Sequence, residues 1–152
     1  MPSQGDGEIA FYGGSFTLLP VAQQTDYLSA ARRFVASGRV AGIRISTRPD
    51  ALEQDSVLRL KTFGVTTVEI GCQSFNDAVL TASERGHSAL DNVSAIQRCH
   101  NAGFQVGVQL MPGLPAGDAE EALMSLNQAL ELEPSFVRIY PTVVVAGTKL
   151  AV

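Results

Sequence analysis

The chain has 152 residues, 45% of them hydrophobic and 17% charged, with a formal net charge of −4 at pH 7. That length accommodates one domain with a substantial core, and the negative balance offers no basic face for phosphates, so the composition does not point to nucleic-acid binding. Cys72 and Cys99 are the two cysteines, with no C-x-x-C pair, which argues against a disulfide framework and a structural zinc site. No run of about 18 apolar residues occurs and the first eight residues do not read as a signal peptide, so a cytoplasmic protein without membrane contact is expected.

In chain order the sequence repeats one unit: a short apolar strand, a loop of unusual residues, an amphipathic helix and a glycine. Strands are expected at Ile9–Tyr12, Gly42–Ile45, Thr66–Ile70, Gln105–Met111 and Phe136–Tyr140, rich in Val, Ile and aromatics as buried parallel strands are. Leu28, Ala31 and Val35 form the apolar stripe of the first helix, and Leu123, Leu126 and Leu130 that of the last. Asp50 with Glu53, Ser88 with Asp91, and Asp118 with Glu121 read as capping pairs that start helices. Gly38, Gly64 and Gly103 close three helices.

Strand–helix–strand units at a spacing of about 30 residues imply a parallel α/β sheet with right-handed crossovers. A closed eight-stranded barrel takes about 250 residues, so residues 1–152 are expected to form a single partial domain, an open arc or a doubly wound sheet. The stretch Val143–Val152 is expected to be loose.

Ligands of parallel α/β folds bind where strands end, and every strand exit here carries a distinctive loop. The exits read Gly13-Gly14-Ser15-Phe16, then Ser46-Thr47-Arg48-Pro49-Asp50, then Gly71-Cys72-Gln73-Ser74-Phe75-Asn76-Asp77. The last two read Met111-Pro112-Gly113-Leu114-Pro115 and Pro141-Thr142. Arg44, Glu69, Gln109 and Arg138 stand near the ends of four strands in a common phase, which puts them on one face of the sheet. They form either an internal salt-bridge layer, Arg44 with Glu69, or a polar floor beneath a ligand. His100 lies near a helix end, where it serves the dipole. His87 follows Arg85-Gly86 on the loop-bearing rim and is the better functional candidate, whereas Cys72 reads as a small buried hydrophobe.

Together these segments resemble the radical S-adenosylmethionine (SAM) superfamily. Phe11-Tyr12-Gly13-Gly14-Ser15-Phe16 is similar to its Gly-Gly motif at the exit of the second barrel strand, and Gly42-Ile43-Arg44-Ile45-Ser46-Thr47-Arg48-Pro49-Asp50 looks like the third strand and its loop. Val68 to Asp77 with Arg85-Gly86-His87 resemble the fourth, and Gln109 to Pro115 and Arg138 to Thr142 the fifth and sixth. The nearest groups are elongator catalytic-subunit-like proteins and, further off, oxygen-independent coproporphyrinogen oxidase.

The resemblance implies about five strands of a TIM-like barrel that binds SAM at the strand ends for 5′-deoxyadenosyl radical chemistry. It implies that Gly13, Gly14 and Ser15 meet the methionine amino group and that Ser46 and Arg48 lie near the ribose and substrate. Gln73 and Arg85 would reach the ribose hydroxyls and the carboxylate, and Gln109 would frame the adenosyl group. On this reading Gly14, Gln73 and Arg85 face one common hollow. The family also implies a 4Fe-4S cluster held by Cys-x-x-x-Cys-x-x-Cys, which these 152 residues do not contain. The chain is therefore expected to be inactive alone, as a fragment of such an enzyme. The alternative is a non-catalytic descendant that binds a ligand or partner. Transfer RNA is the partner implied for the longer protein, and exposed sheet edges predict self-association. An unrelated barrel acting on a phosphorylated metabolite is disfavoured, because no loop presents a lysine or phosphate nest.

Overall fold

Alternation of side chains along five strands determines both faces of the sheet. In the computed structural model, which describes residues 5–151, the strands are all parallel and lie in sequential order. They are β1 (Glu8–Phe11), β2 (Gly42–Thr47), β3 (Val65–Gln73), β4 (Gln105–Leu110) and β5 (Phe136–Ile139). Ile43, Ile45, Val68, Ile70, Val106 and Val108 point to one face and are fully buried. Their neighbours one residue along, Arg44, Ser46, Glu69, Gly107 and Gln109, occupy the other.

The crossovers run through α1 (Val21–Ala36), α2 (Gln54–Thr62), α3 (Asp77–Ala82) with α4 (Ala89–Asn101), and α5 (Ala119–Glu131). Right-handed crossovers between strands in sequential order put every crossover on the same side of the sheet. The sheet is therefore a singly wound arc, because a doubly wound sheet reverses its strand order partway. Leu28 and Ala31 of α1, Val57 and Leu60 of α2, Ala95, Ile96 and Cys99 of α4, and Ala129 of α5 close over the apolar face in one core cluster. Each fully buried Leu or Ile contributes about 1.5–3 kcal/mol relative to exposure. The opposite face is left polar and concave.

The helix termini sort the capping pairs. Ser88 and Asp91 make a complete capping box on α4: the Ser88 hydroxyl accepts from the Asp91 amide, and the Asp91 carboxylate accepts from the Ser88 amide at 2.7 Å. Asp118 accepts from the Glu121 amide at 2.9 Å and caps α5. Asp50 does not cap α2, contrary to the sequence reading. It lies in a 3-10 turn over Pro49–Ala51, α2 starts only at Gln54, and the Asp50 carboxylate is engaged by Arg48. Proline at the head of that turn diverts the chain before the helix begins. Gly38, Gly64 and Gly103 follow α1, α2 and α4 with φ of +71°, +80° and +75°, as the helix-end pattern requires.

Two further expectations are corrected. Leu123 and Leu130 of α5 are exposed; the helix instead buries Ser125 and Ala129, with Leu126 partly buried. Small side chains bring α5 close to the sheet, and the Ser125 hydroxyl accepts the Phe75 amide at 2.7 Å. Strand β3 continues to Gln73 rather than ending at Ile70, through an irregularity in its pairing with β4. Beyond β5 the chain is fastened by Thr142 N to Pro112 O at 2.9 Å and by Lys149 to Glu84 at 3.0 Å, while Val143, Val144 and Val145 are exposed. No helix among the described residues is long and apolar enough to cross a membrane.

Candidate functional site

The concave face converges on one carboxylate. Glu69 is completely buried, and its Oε1 accepts from the Tyr12 hydroxyl at 2.7 Å and from Arg44 Nη1 at 2.8 Å. Arg138 Nη2 lies 3.4 Å from the same oxygen, and Gln109 Nε2 donates to Oε2 at 2.9 Å. Arg44 also pairs with Glu8, which accepts from Thr67 Oγ1 at 2.7 Å. The four residues placed in phase from the sequence thus do share a face, and Glu69 is their common acceptor. Burial alone pushes the Glu69 carboxyl up, but hydrogen bonds from Tyr12, Arg44 and Gln109 and the charge of Arg138 outweigh it and hold the group below the usual carboxylate range.

At the exit of β1, Gly13 and Gly14 have φ of +104° and +154°, and no atom lies within 4 Å of where a side chain would start. With Tyr12, Ser15 and Tyr27 they line a hollow of about 280 Å³. At the exit of β2, Arg48 grips Asp50 with Nε and Nη2, both at 2.9 Å. Its Nη2 lies 3.1 Å from where a Cβ on Gly86 would stand, so Arg48 sits against the Arg85-Gly86-His87 loop. Burial and then the like charge of Arg48 depress the Arg85 guanidinium, whose Nε is buried without a partner. Ser46 lies further inward and its Oγ accepts from Gln109 Nε2 at 3.3 Å.

At the exit of β3, Gln73 occupies the left-handed region with φ of +68°, an uncommon conformation for a residue with a side chain. Its Nε2 lies 2.7 Å from where a Cβ on Gly71 would stand, so a side chain at position 71 would displace the amide of Gln73 from its present place. Its Oε1 is buried and accepts no hydrogen bond. The next residues are held firmly: Ser74 Oγ donates to Glu121 at 2.6 Å, and Asn92 Nδ2 donates to Ser74 O at 2.8 Å.

The eight candidate residues thus form three groups along one rim. Gly13, Gly14 and Ser15 line the first hollow; Ser46 and Gln109 touch each other beside Glu69, with Gln73 close by at Gly71; Arg48, from the exit of β2, lies against the loop that carries Arg85. They do not share one enclosed hollow. Gln73 lines a separate cavity of about 430 Å³ against Leu110, Met111 and α5, and Gly86 and His87 line a third. A five-stranded open sheet presents these loops side by side rather than around a closed mouth.

His87, the better functional candidate of the two histidines, is mostly buried on its loop. It is 8% exposed, and its Nε2 meets Cys72 O at 3.2 Å. Cys72 and Cys99 are fully buried, and burial pushes both thiols up, that of Cys99 to about 12. Thiolate ligands need the opposite environment, and no three His, Cys, Asp or Glu side chains among the described residues are placed to hold a metal ion. The donor set for a 4Fe-4S cluster is not supplied by these residues. Sequence reasoning missed Tyr12 and Glu8; the signal was parity, since Glu8, Ala10 and Tyr12 alternate onto the face that carries Arg44 and Glu69.

Comparison with known proteins agrees with this fold. The model of the Radical SAM superfamily matches residues 1–128. The tRNA uridine(34) acetyltransferase of Methanocaldococcus jannaschii is 33% identical over 118 residues, which make up 76% of this chain and 22% of that protein. The structure of archaeal Methanocaldococcus infernus Elp3 with an N-terminal deletion superposes with a TM-score of 0.86 at 25% identity, covering 97% of this chain and 39% of the other. Coproporphyrinogen III oxidase (HemN) from Escherichia coli, at 22% identity and a TM-score of 0.75, covers 91% of this chain and 32% of its own, and shares the fold. With its singly wound arc and Gly-Gly strand exit, the chain belongs to the radical SAM superfamily.

Proposed function

We propose that the rim formed by the ends of β1 to β4 is the SAM-binding face of a radical SAM core. SAM would lie across the open strand ends and meet Gly13–Gly14, Gln73 and Arg85 in turn, rather than fill the one common hollow expected for them. The observation that carries the reading is Gln73: its backbone is held in the left-handed region and its side-chain oxygen is buried without a donor. Strain and an unsatisfied acceptor at one residue mark a position kept for a ligand. Gly13 and Gly14 leave backbone amides and carbonyls open to close approach, and Ser46 and Gln109 supply neutral polar groups between the two. Arg85, with a free buried Nε beside Arg48, suits a carboxylate. SAM bound here would supply the precursor of a 5′-deoxyadenosyl radical.

The residues of this chain bind and orient; they do not supply the thiolates for cluster chemistry, so the 152 residues alone bind SAM without turning it over. The longer relatives are named for tRNA uridine acetylation, and a tRNA is the substrate class proposed for a longer protein carrying this core. Calorimetric titration of the chain with SAM tests the binding reading. One site is expected, weakened about tenfold by Gln73→Ala through loss of one buried polar contact. Absence of heat at millimolar SAM, or unchanged affinity in Gln73→Ala, refutes it. Anaerobic iron–sulfide reconstitution of the 152-residue chain is expected to give no cluster absorbance; a stable cluster band would overturn the donor argument.

A further inference from the structure

Glu69 touches none of the rim loops directly, yet two of its donors lead to them. Tyr12 is joined by one peptide bond to Gly13, and its hydroxyl donates to Glu69 Oε1 at 2.7 Å. Gln109 donates through one Nε2 both to Glu69 Oε2 at 2.9 Å and to Ser46 Oγ at 3.3 Å. Arg138, from the far edge of the sheet, lies 5.7 Å from the Tyr12 ring and 3.4 Å from Glu69. Side chains from the first and last strands therefore meet over this one carboxylate.

The Gly13–Gly14 turn is anchored on its far side by Phe16, which is buried in the core, and by Leu18 N donating to Ser15 O at 3.0 Å; on its near side the anchor is Tyr12. Neither glycine has a neighbour within 4 Å of its Cβ position. Among the described residues, the Tyr12 to Glu69 bond is the one side-chain hydrogen bond that reaches Tyr12–Ser15. Two glycines in succession sample more backbone conformations than any other pair, so a turn without packing depends on where its flanking residues are anchored. An acceptor is needed at position 69 because everything that converges there is a donor: a phenol, two guanidinium groups and an amide NH₂.

We infer that Glu69 is the positioning residue of the strand-end site: through Tyr12 it sets the conformation of the Gly13–Gly14 turn, and through Gln109 it sets Ser46. The identity of the ligand rests on the SAM reading above; the control of the turn by Glu69 does not. The charge state suits the role, because the carboxyl is held ionised by its own donors.

The test uses Tyr12→Phe, which deletes only the hydroxyl of a half-exposed ring, and Glu69→Leu, which deletes the acceptor. Amide NMR resonances of Gly13, Gly14 and Ser46 and the affinity for SAM are read in both variants. Tyr12→Phe is expected to shift Gly13 and Gly14, to leave the resonances of α2, α4 and α5 in place, to lower the melting temperature modestly because the buried carboxylate loses one donor, and to weaken SAM binding about tenfold as the turn is released. Glu69→Leu is expected to move the same two glycines, 56 and 55 positions away in sequence, together with Ser46; adding Tyr12→Phe to it should change nothing further. A purely structural Glu69 would lower stability without moving affinity in Tyr12→Phe. If Glu69→Leu does not fold, Tyr12→Phe decides alone: unmoved glycine resonances overturn the inference. If the unaltered chain takes up no SAM, the ligand reading falls, while the resonances still report whether Glu69 governs the turn.

Discussion

Replacing Gly107 by alanine tests how the concave face is packed. Gly107 sits on β4 in register with Glu69 on one side and Phe136 on the other. A Cβ there would stand 2.3 Å from Phe136 Cζ and 2.4 Å from Cε2. Carbon atoms pack at about 3.5–4.0 Å, so the ring must retreat by roughly 1 Å. It cannot do so freely, because the Arg44 guanidinium lies 4.9 Å from its centroid and that of Arg138 5.9 Å, and both arginines are tied to Glu69. Overpacking of this kind costs about 1–3 kcal/mol, and the reduced freedom of the unfolded chain offsets about 0.4–1 kcal/mol of it. A net loss of about 1.5 kcal/mol lowers the melting temperature of a chain this size by roughly 3–6 °C. Circular-dichroism melts of Gly107→Ala, Phe136→Leu and the double variant give the coupling. Removing the ring should relieve the clash, so the two losses should fall short of additive by about 1 kcal/mol. Losses that add within about 0.5 kcal/mol, or a Gly107→Ala variant more stable than the parent, would refute the packing argument.

Other consequences can be measured in parallel. The carboxyls of Glu69 and Glu8 are both held below the usual range, so the stability they contribute is complete above the ordinary carboxylate pKa of about 4.3 and is lost as pH falls through their lowered values. The difference in melting temperature between the parent and Glu69→Gln should therefore shrink steadily below about pH 4; a constant difference down to pH 2 would contradict it. Ser88→Ala breaks the complete capping box of α4 and should cost about 1 kcal/mol in urea unfolding, whereas Asp50→Ala, which caps no helix, should not destabilise α2. Cys72 and Cys99, both fully buried with raised thiols, should resist a thiol reagent at pH 8 and react only after denaturation.

The outer face was legible because its physics is local. Ile43, Ile45, Val106 and Val108 recur with a period of two, Leu28 and Ala31 follow a helical period, and Gly38, Gly64 and Gly103 end helices through their own backbone freedom. Such signals lie within a few residues of one another, so the strands, the helices and the right-handed crossovers could be reasoned without coordinates, whereas the strand order could not. The Asp50 cap and the Leu123–Leu130 stripe failed where local pattern met tertiary competition: Arg48 engaged Asp50, and α5 turned its small residues toward the sheet to admit the Ser125 bond.

The amino-acid sequence by itself determined the parallel α/β class, the rim of special loops and the shared phase of Arg44, Glu69, Gln109 and Arg138, since each depends on spacing along the chain; the sequential strand order of the arc came from the tertiary structure. Only the tertiary structure decided that Glu69 is the common acceptor, that Tyr12 and Arg138 meet over it from opposite edges of the sheet, and that His87 is buried against Cys72. Those contacts join residues from 15 to 126 positions apart. They arise from the curvature of the sheet, which no single segment encodes.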